Sequence, residues 1–419
     1  MKQVAFVKAT YKTPGGAEKY SVRLIHAFLE AGCSVNLLTL PGQKWPDDWP
    51  DHNRDRLAIT PLGHQNLGRA GRLIAFQTAV SRHVRLHSYD VVFGIDYTDG
   101  QTHMRAGGGT HRSFLEYRDE TRSIPARILR SASMFHRLKL TYEKKAIESP
   151  RLQRLYCNSE MVKQEIAARY RISPQKIKVV HNGVEWKSFE YLFHHKDEIK
   201  GELLARHQLP AGSRFLLFTG TGFERKGLEY AIEGMQHLPP DFHLLIVGKG
   251  ETGPYRKMAG RLFISERIHF LGPQEEASRY LALADGFILP TRYDPFSNAS
   301  LEALAAGVPV LTTDRNGCAE VIQPGNTGVI LSFPVRSDQL RKSVEDFTQV
   351  MQRAANPLYR KQIRDSVQYL DFAENLRSIV SDVLKSDLPK PKISEREPDR
   401  NDNEDAGKMK DKDNGRSYC

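Results

Sequence analysis

Short apolar runs alternate with longer amphipathic stretches along most of this chain, and the alternation is played out twice. In the first series, residues 4–7, 34–40, 90–94, 153–158 and 177–181 read as strands, and stretches near 17–31, 73–87 and 160–170 read as helices. Asn182-Gly183-Val184 then turns the chain. A second series places strands at 214–220, 242–248, 268–271, 286–290 and 308–312, with a helix near 228–236. Apolar strands joined by amphipathic crossovers imply an α/β fold built on parallel sheets with both faces covered. Two such series in 419 residues imply two Rossmann-like domains facing each other across a cleft. Ligands of these sheets lie beyond the carboxyl ends of the strands, so the cleft is where function is expected. We expect the first domain at residues 1–182 and the second at 183–360. A helical stretch near 359–385 closes the folded part. Residues 386–419 are charged, almost without apolar side chains, and are expected to be disordered.

Two segments at expected strand ends carry chemistry. The first runs from Tyr293 to Val310 and sets Asp294 and Glu302 on either side of a Phe296-Ser297-Asn298 turn and a helix start. Ser297 or Asn298 suits the N-cap, leaving free backbone N–H groups pointing at whatever lies in front of the turn. A helix start of this kind favours a phosphate. Glu302 shares a helix face with Asn298 and can accept two hydroxyl hydrogen bonds from a ribose. Asp294, held in the loop, reaches another part of the ligand. A site for a diphosphate and two sets of hydroxyls describes a nucleotide sugar; the bland alternative is a surface helix with two acids.

The second segment is Thr219-Gly-Thr-Gly-Phe-Glu-Arg-Lys-Gly227. Gly220, Gly222 and Gly227 let backbone approach a ligand, and Arg225 and Lys226 supply two cations. Cations fixed in advance in a dry cleft stabilise the charge that grows on a departing diphosphate. No carboxylate cluster for Mg²⁺ or Mn²⁺ stands out, so the Arg–Lys pair is expected to do a metal's work, with no cofactor beyond the nucleotide-sugar co-substrate.

These residues resemble the E-x7-E signature of retaining glycosyltransferases of family four, which have the GT-B fold. Asp294 stands where the family has its first Glu, and the adjacent Arg225-Lys226-Gly227 resembles the lipopolysaccharide core glucosyltransferase I branch rather than the Arg-x4-Lys spacing of many relatives. The resemblance covers residues 1 to about 385. It implies that the last helix, about 361–385, crosses back onto the first domain. It also implies that the Gly15–Gly16 loop closes on the donor phosphates, and that His111, after Gly107-Gly108-Gly109, lies near the donor sugar. Gly248-Lys249-Gly250 is expected to line the base pocket. Asp96 and Asp99 are candidates for acceptor hydroxyls. The implied reaction is transfer with retention, best read as glucose from UDP-glucose onto a glycan or glycolipid acceptor such as lipopolysaccharide core. The leaving phosphate takes the acceptor's proton, so no protein base is required. Phe296, Ser297 and Asn298 would support the diphosphate.

Charge is unevenly spread. Residues 1–180 hold 29 Lys and Arg against 16 Asp and Glu, whereas the remainder holds 32 against 34. Much of the excess lies between Arg112 and Arg154, where basic residues interleave with Phe114, Ile128, Phe135, Leu138 and Tyr142. Residues 126–147 have the pattern of a basic amphipathic helix, which suits an anionic membrane surface and equally suits a domain helix packed on its core. No DNA-reading motif accompanies the charge, so nucleic acid is not expected as a partner. No run approaches the roughly 18 apolar residues of a membrane span. The N-terminus reads as a strand rather than a signal peptide. Cys33, Cys157, Cys318 and Cys419 have neither metal spacing nor a disulfide framework. A cytoplasmic protein, peripheral at the inner face of the inner membrane, fits. Two other readings stand beside the transferase: a nucleotide-sugar epimerase of GT-B fold, and a non-catalytic scaffold binding carbohydrate or nucleic acid.

Overall fold

The computed structural model describes residues 1–11, 16–45, 51–120 and 133–385. It contains two parallel sheets. The first comprises β1 (Gln3–Val7), β2 (Ser34–Thr39), β3 (Leu57–Pro61), β4 (Val91–Gly94), β5 (His103–Ala106), β6 (Arg154–Cys157) and β7 (Ile177–Val179), in the order β3-β2-β1-β4-β5-β6-β7. The second comprises β8 (Arg214–Thr219), β9 (Phe242–Val247), β10 (Ile268–Gly272), β11 (Gly286–Leu289), β12 (Val310–Thr313) and β13 (Gly328–Leu331), in the order β10-β9-β8-β11-β12-β13. In each sheet the order reverses beside the first strand of the series, which opens a crevice at that point. The two-fold α/β architecture expected from the alternation is therefore present.

The strands form because their runs are apolar on both faces, as sheets covered by helices require. Phe215 to Phe218 and Leu244 to Val247 are buried almost without exposure, and Val4 to Val7 are wholly buried. Three strands went unanticipated. β3 lies at a sheet edge, half exposed, and ends in Pro61. β5 reads His-Met-Arg-Ala, yet all four residues are buried. β13 has only four residues between turns.

The closing helix also differs from expectation. Residues 359–385 are divided into Pro357–Asp365, a short 3-10 turn at Gln368–Leu370, and Phe372–Lys385. The break has a local cause: the Asp371 carboxylate accepts hydrogen bonds from the N–H groups of Ala373 and Glu374, at 3.0 and 3.2 Å, and so caps a new helix. Val184 ties the break down, donating to Leu370 O and accepting from Phe372 N. A Cβ at Gly183 would stand 2.5 Å from Phe372 Cα, so a glycine is required where the two segments cross. Leu376, Ile379, Val380 and Val383 then pack with Val4, Phe6, Leu24, Ile25 and Phe28 in the core beneath the first sheet.

Residues 121–132, which include the start of the expected basic amphipathic helix, lie outside the described residues, as do residues 386–419. The described part of that helix, Met134–Ile147, buries Glu143, Ala146 and Ile147 and leaves Met134 and the cations Arg137, Lys139, Lys144 and Lys145 exposed. No helix among the described residues is long and apolar enough to cross a membrane.

Candidate active site

The carboxyl ends of the two sheets meet. Ser159, just past β6, donates from its hydroxyl to Pro295 O at 2.8 Å. Asn182 bonds Asn298 at 2.7 Å. Tyr293 donates to Glu165 Oε2 at 2.8 Å, and the Ser113 hydroxyl donates to the same oxygen at 2.7 Å. Glu320 accepts from the N–H groups of Glu160 and Met161 and pairs with His181, each at 2.9 Å, so an acid of the second half sits at the start of a helix of the first. Between these contacts lies a cavity of about 440 Å³, walled by Gly16, Ala17, Gly107, Gly108 and Phe114 on one side and by Arg225, Lys226 and the Tyr293–Ala299 turn on the other. That volume is in the range of small-ligand sites. A larger hollow of about 840 Å³ lies along the helix Gly253–Arg261, but it gathers none of the candidate site residues.

The turn at 295–298 is fixed from below. Ser297 is the N-cap of the helix Asn298–Ala305, accepting from Ser300 N at 3.2 Å, which settles the choice between Ser297 and Asn298. Asn316, which the sequence did not single out, is wholly buried and organises this tip. Its Oδ1 accepts from Ser297 N and Cys318 N at 3.0 and 3.1 Å, and its Nδ2 donates to Thr312 Oγ1 at 2.9 Å. The remaining N–H groups of the first turn are left for a ligand. Gly16 comes so close that an added Cβ would meet Asn298 Nδ2 at 3.0 Å, so the two halves touch at this helix tip.

Opposite the tip, Lys226 Nζ lies 2.5 Å from Asp294 Oδ2, and the Arg225 guanidinium lies 3.4 Å from the same oxygen. Arg225 also donates to Tyr293 O at 3.0 Å. Lys226 and Asp294 are 8% and 7% exposed, so the pair is desolvated. Burial opposes the Asp294 charge, but Lys226 and Arg225 outweigh it and hold the carboxyl below its ordinary range. Burial pulls the lysine below its ordinary value against the attraction of Asp294. Two cations thus share one carboxylate, leaving a net positive charge at the cavity wall. Gly227, in the left-handed region at φ 73°, ends the turn carrying the cations; a Cβ there would stand 1.9 Å from Pro290 O.

Other candidates lie off this wall. Gly222 and Gly248 sit behind the Arg225–Lys226 turn, where Gly222 N donates to Lys249 O at 3.1 Å and a Cβ on Gly248 would strike Gly220 O. Glu302 is half-buried one turn into the helix; burial pushes its carboxyl up to about 7, with Lys19 of the first half pulling it down. His111 begins the helix His111–Glu120, where its ring bonds His136 at 3.0 Å and stacks on Phe114, which does reach the cavity. Asp96, at the end of β4, accepts from Ala9 N at 2.6 Å and lies 3.8 Å from Lys8, while Asp99 is exposed. Gly15 lies outside the described residues. Among the described residues no group of three or more His, Cys, Asp and Glu is arranged to hold a metal ion.

Comparison with known proteins agrees with this architecture. Residues 14–186 match the model of Glycosyltransferase Family 4, and residues 200–360 match that of glycosyl transferases group 1. The lipopolysaccharide glucosyltransferase WaaG of Escherichia coli K12 is 23% identical over 380 residues, covering 89% of this chain and 93% of that protein. The crystal structure of WaaG superposes with a TM-score of 0.73 at 21% identity, covering 91% of this chain and 100% of the other. HepE of Anabaena in complex with UDP-glucose superposes with a TM-score of 0.65 at 14% identity, covering 92% of this chain and 100% of that one. Matched in both halves by these two models and sharing its fold with WaaG, the chain belongs to the family-four type of glycosyltransferases, with the GT-B architecture.

Proposed function

We propose that the chain is a retaining, metal-independent hexosyltransferase that moves glucose from UDP-glucose onto a glycan or glycolipid acceptor such as lipopolysaccharide core. The observation that carries this reading is the Lys226–Asp294–Arg225 cluster on the wall of a cavity that both halves build. The diphosphate rests against Arg225, Lys226 and the N–H groups of Asn298 and Ala299, and these groups stabilise the charge that builds as the glycosidic bond breaks. Asp294, oriented by both cations, accepts a hydroxyl of the donor sugar, and Glu302 accepts ribose hydroxyls. The acceptor hydroxyl attacks from the face the diphosphate leaves and passes its proton to a phosphate oxygen. Glycine-lined backbone at 107–108 leaves room for the sugar, and contact between the halves keeps water from it. WaaG, named a lipopolysaccharide glucosyltransferase, and HepE, captured with UDP-glucose, lend support for donor and acceptor class. The exposed cations of the helix Met134–Ile147 are suited to anionic lipid. The enzyme then works at the inner face of the cytoplasmic membrane.

The test is incubation with UDP-glucose and a heptose-containing core acceptor, followed by NMR of the product. We expect an α-linked glucoside, with UDP released only when acceptor is present. A β-linked product refutes retention, and conversion of UDP-glucose to another UDP-sugar without acceptor replaces the transferase by an epimerase.

A further inference from the structure

A buried cation of the first half has no ion-pair partner among the described residues. Arg105, in β5, is 3% exposed. Its guanidinium lies over the Tyr20 ring, 4.1 Å from the centroid, and one terminal nitrogen donates to Asn182 Oδ1 at 2.8 Å. The other terminal nitrogen is buried without a hydrogen-bond partner, and so is the Tyr20 hydroxyl. Removing a guanidinium from water is costly unless an anion compensates it, and orphaned buried donors are rare. Position supplies the reason. A Cβ on Gly107 would stand 3.4 Å from Arg105 Nε, and Asn182 passes the hydrogen bond on to Asn298 Oδ1 at 2.7 Å. Gly107 and Asn298 both line the cavity. The guanidinium therefore sits directly behind the cavity wall, across from Arg225 and Lys226.

We infer that Arg105 is a binding residue whose missing counter-charge is a phosphate group of the ligand held in this cavity. The inference rests on the transferase reading above and extends it: the anion lies between cations from both halves, so its binding draws them together. Arg105 also positions Asn298, through Asn182, at the helix tip that meets the same anion. The phosphate belongs either to the donor's diphosphate or to a phosphorylated acceptor, and the experiment separates these sources.

Wild type, Arg105→Met and Arg105→Lys are titrated calorimetrically with UDP, inorganic pyrophosphate and uridine, and their ligand-free melting temperatures are compared. With the donor as source, Arg105→Met weakens UDP and pyrophosphate by roughly tenfold or more, the loss of a charged hydrogen bond, and leaves uridine unchanged. The ligand-free melting temperature does not fall, because an uncompensated buried charge has been replaced by an apolar chain. Arg105→Lys, which keeps the charge on a shorter reach, is intermediate and carries the comparison if the methionine variant does not fold. With the acceptor as source, UDP affinity is unchanged and KM rises for a phosphorylated acceptor but not for its dephosphorylated form. Wild-type values for both overturn the inference, and so does an equal loss of UDP and uridine. Failure of the wild type itself to bind UDP or pyrophosphate defeats the transferase reading, and this inference with it.

Discussion

Replacing Lys226 by Met separates what the lysine does for the fold from what it does for the reaction. Its methylenes pass 3.2–3.5 Å from where a Gly220 Cβ would lie, so an unbranched apolar chain keeps that packing. The charge alone is lost. Leaving a buried partner uncompensated costs about 3–5 kcal/mol when it has no other. Asp294 keeps Arg225 at 3.4 Å and its backbone bonds to Arg315 O and from Gly317 N, so the cost should fall at or below the lower end of that range. In the reaction, by contrast, one strong cation is withdrawn from the departing diphosphate, about 3–4 kcal/mol, or roughly 10²–10³ in rate. The assay is initial-rate UDP release at saturating UDP-glucose and acceptor, with the melting temperature measured beside it. We expect a folded protein with a rate lowered by two to three orders of magnitude. Adding Asp294→Asn should recover stability without recovering rate. A rate within twofold of wild type in a folded Lys226→Met protein would refute the clamp.

Glu302 gives a pH prediction. Its carboxyl is raised to about 7 by burial, so the proton is held over the interval between the ordinary carboxyl range and that value. The ligand-free fold therefore has this contribution to stability in full at low pH and loses it as pH rises through about 7. Ribose hydroxyls favour the ionised form, so UDP affinity should rise between pH 6 and 8, by at most about tenfold per unit, and Glu302→Gln should flatten the profile. Excess EDTA should leave the rate of glucosyl transfer unchanged; lost activity restored by Mg²⁺ or Mn²⁺ would place a metal where we place the cation pair. Gly183→Val should lower the melting temperature by several degrees, because even its Cβ meets Phe372 Cα at 2.5 Å, an overpacking worth about 1–3 kcal/mol; an unchanged melt would count against the crossing described.

Much of the architecture was legible because it rests on period and polarity. The apolar strands β1, β8 and β9 announce themselves, and the Arg225–Lys226 and Asp294–Glu302 segments fall just beyond strands, where ligands bind. What escaped was long-range or contrary to pattern. β5 hid because its His103 and Arg105 read as surface residues, although the fold buries both. The division of residues 359–385 depended on Asp371, an ordinary acid until Val184 is seen to anchor the segments around it. Tyr293 with Glu165, and Glu320 with the helix Glu160–Arg169, join residues more than a hundred positions apart, and neither side carries a local signal of the other. Asn316 was missed for the same reason: its value lies in four hydrogen bonds to the helix tip and its surroundings. The His111–His136 contact, which joins residues 25 positions apart, had no signal in the glycine-rich loop that drew attention to His111.

The most direct test is a crystal structure with UDP-glucose bound, which shows where the diphosphate goes. We predict both phosphates between the halves, within hydrogen-bond reach of Arg225, Lys226 and the N–H groups of Asn298 and Ala299, with no divalent ion between them and the protein. A nucleotide seated instead in the hollow along Gly253–Arg261, or phosphates bridged to the protein by a metal, would contradict it.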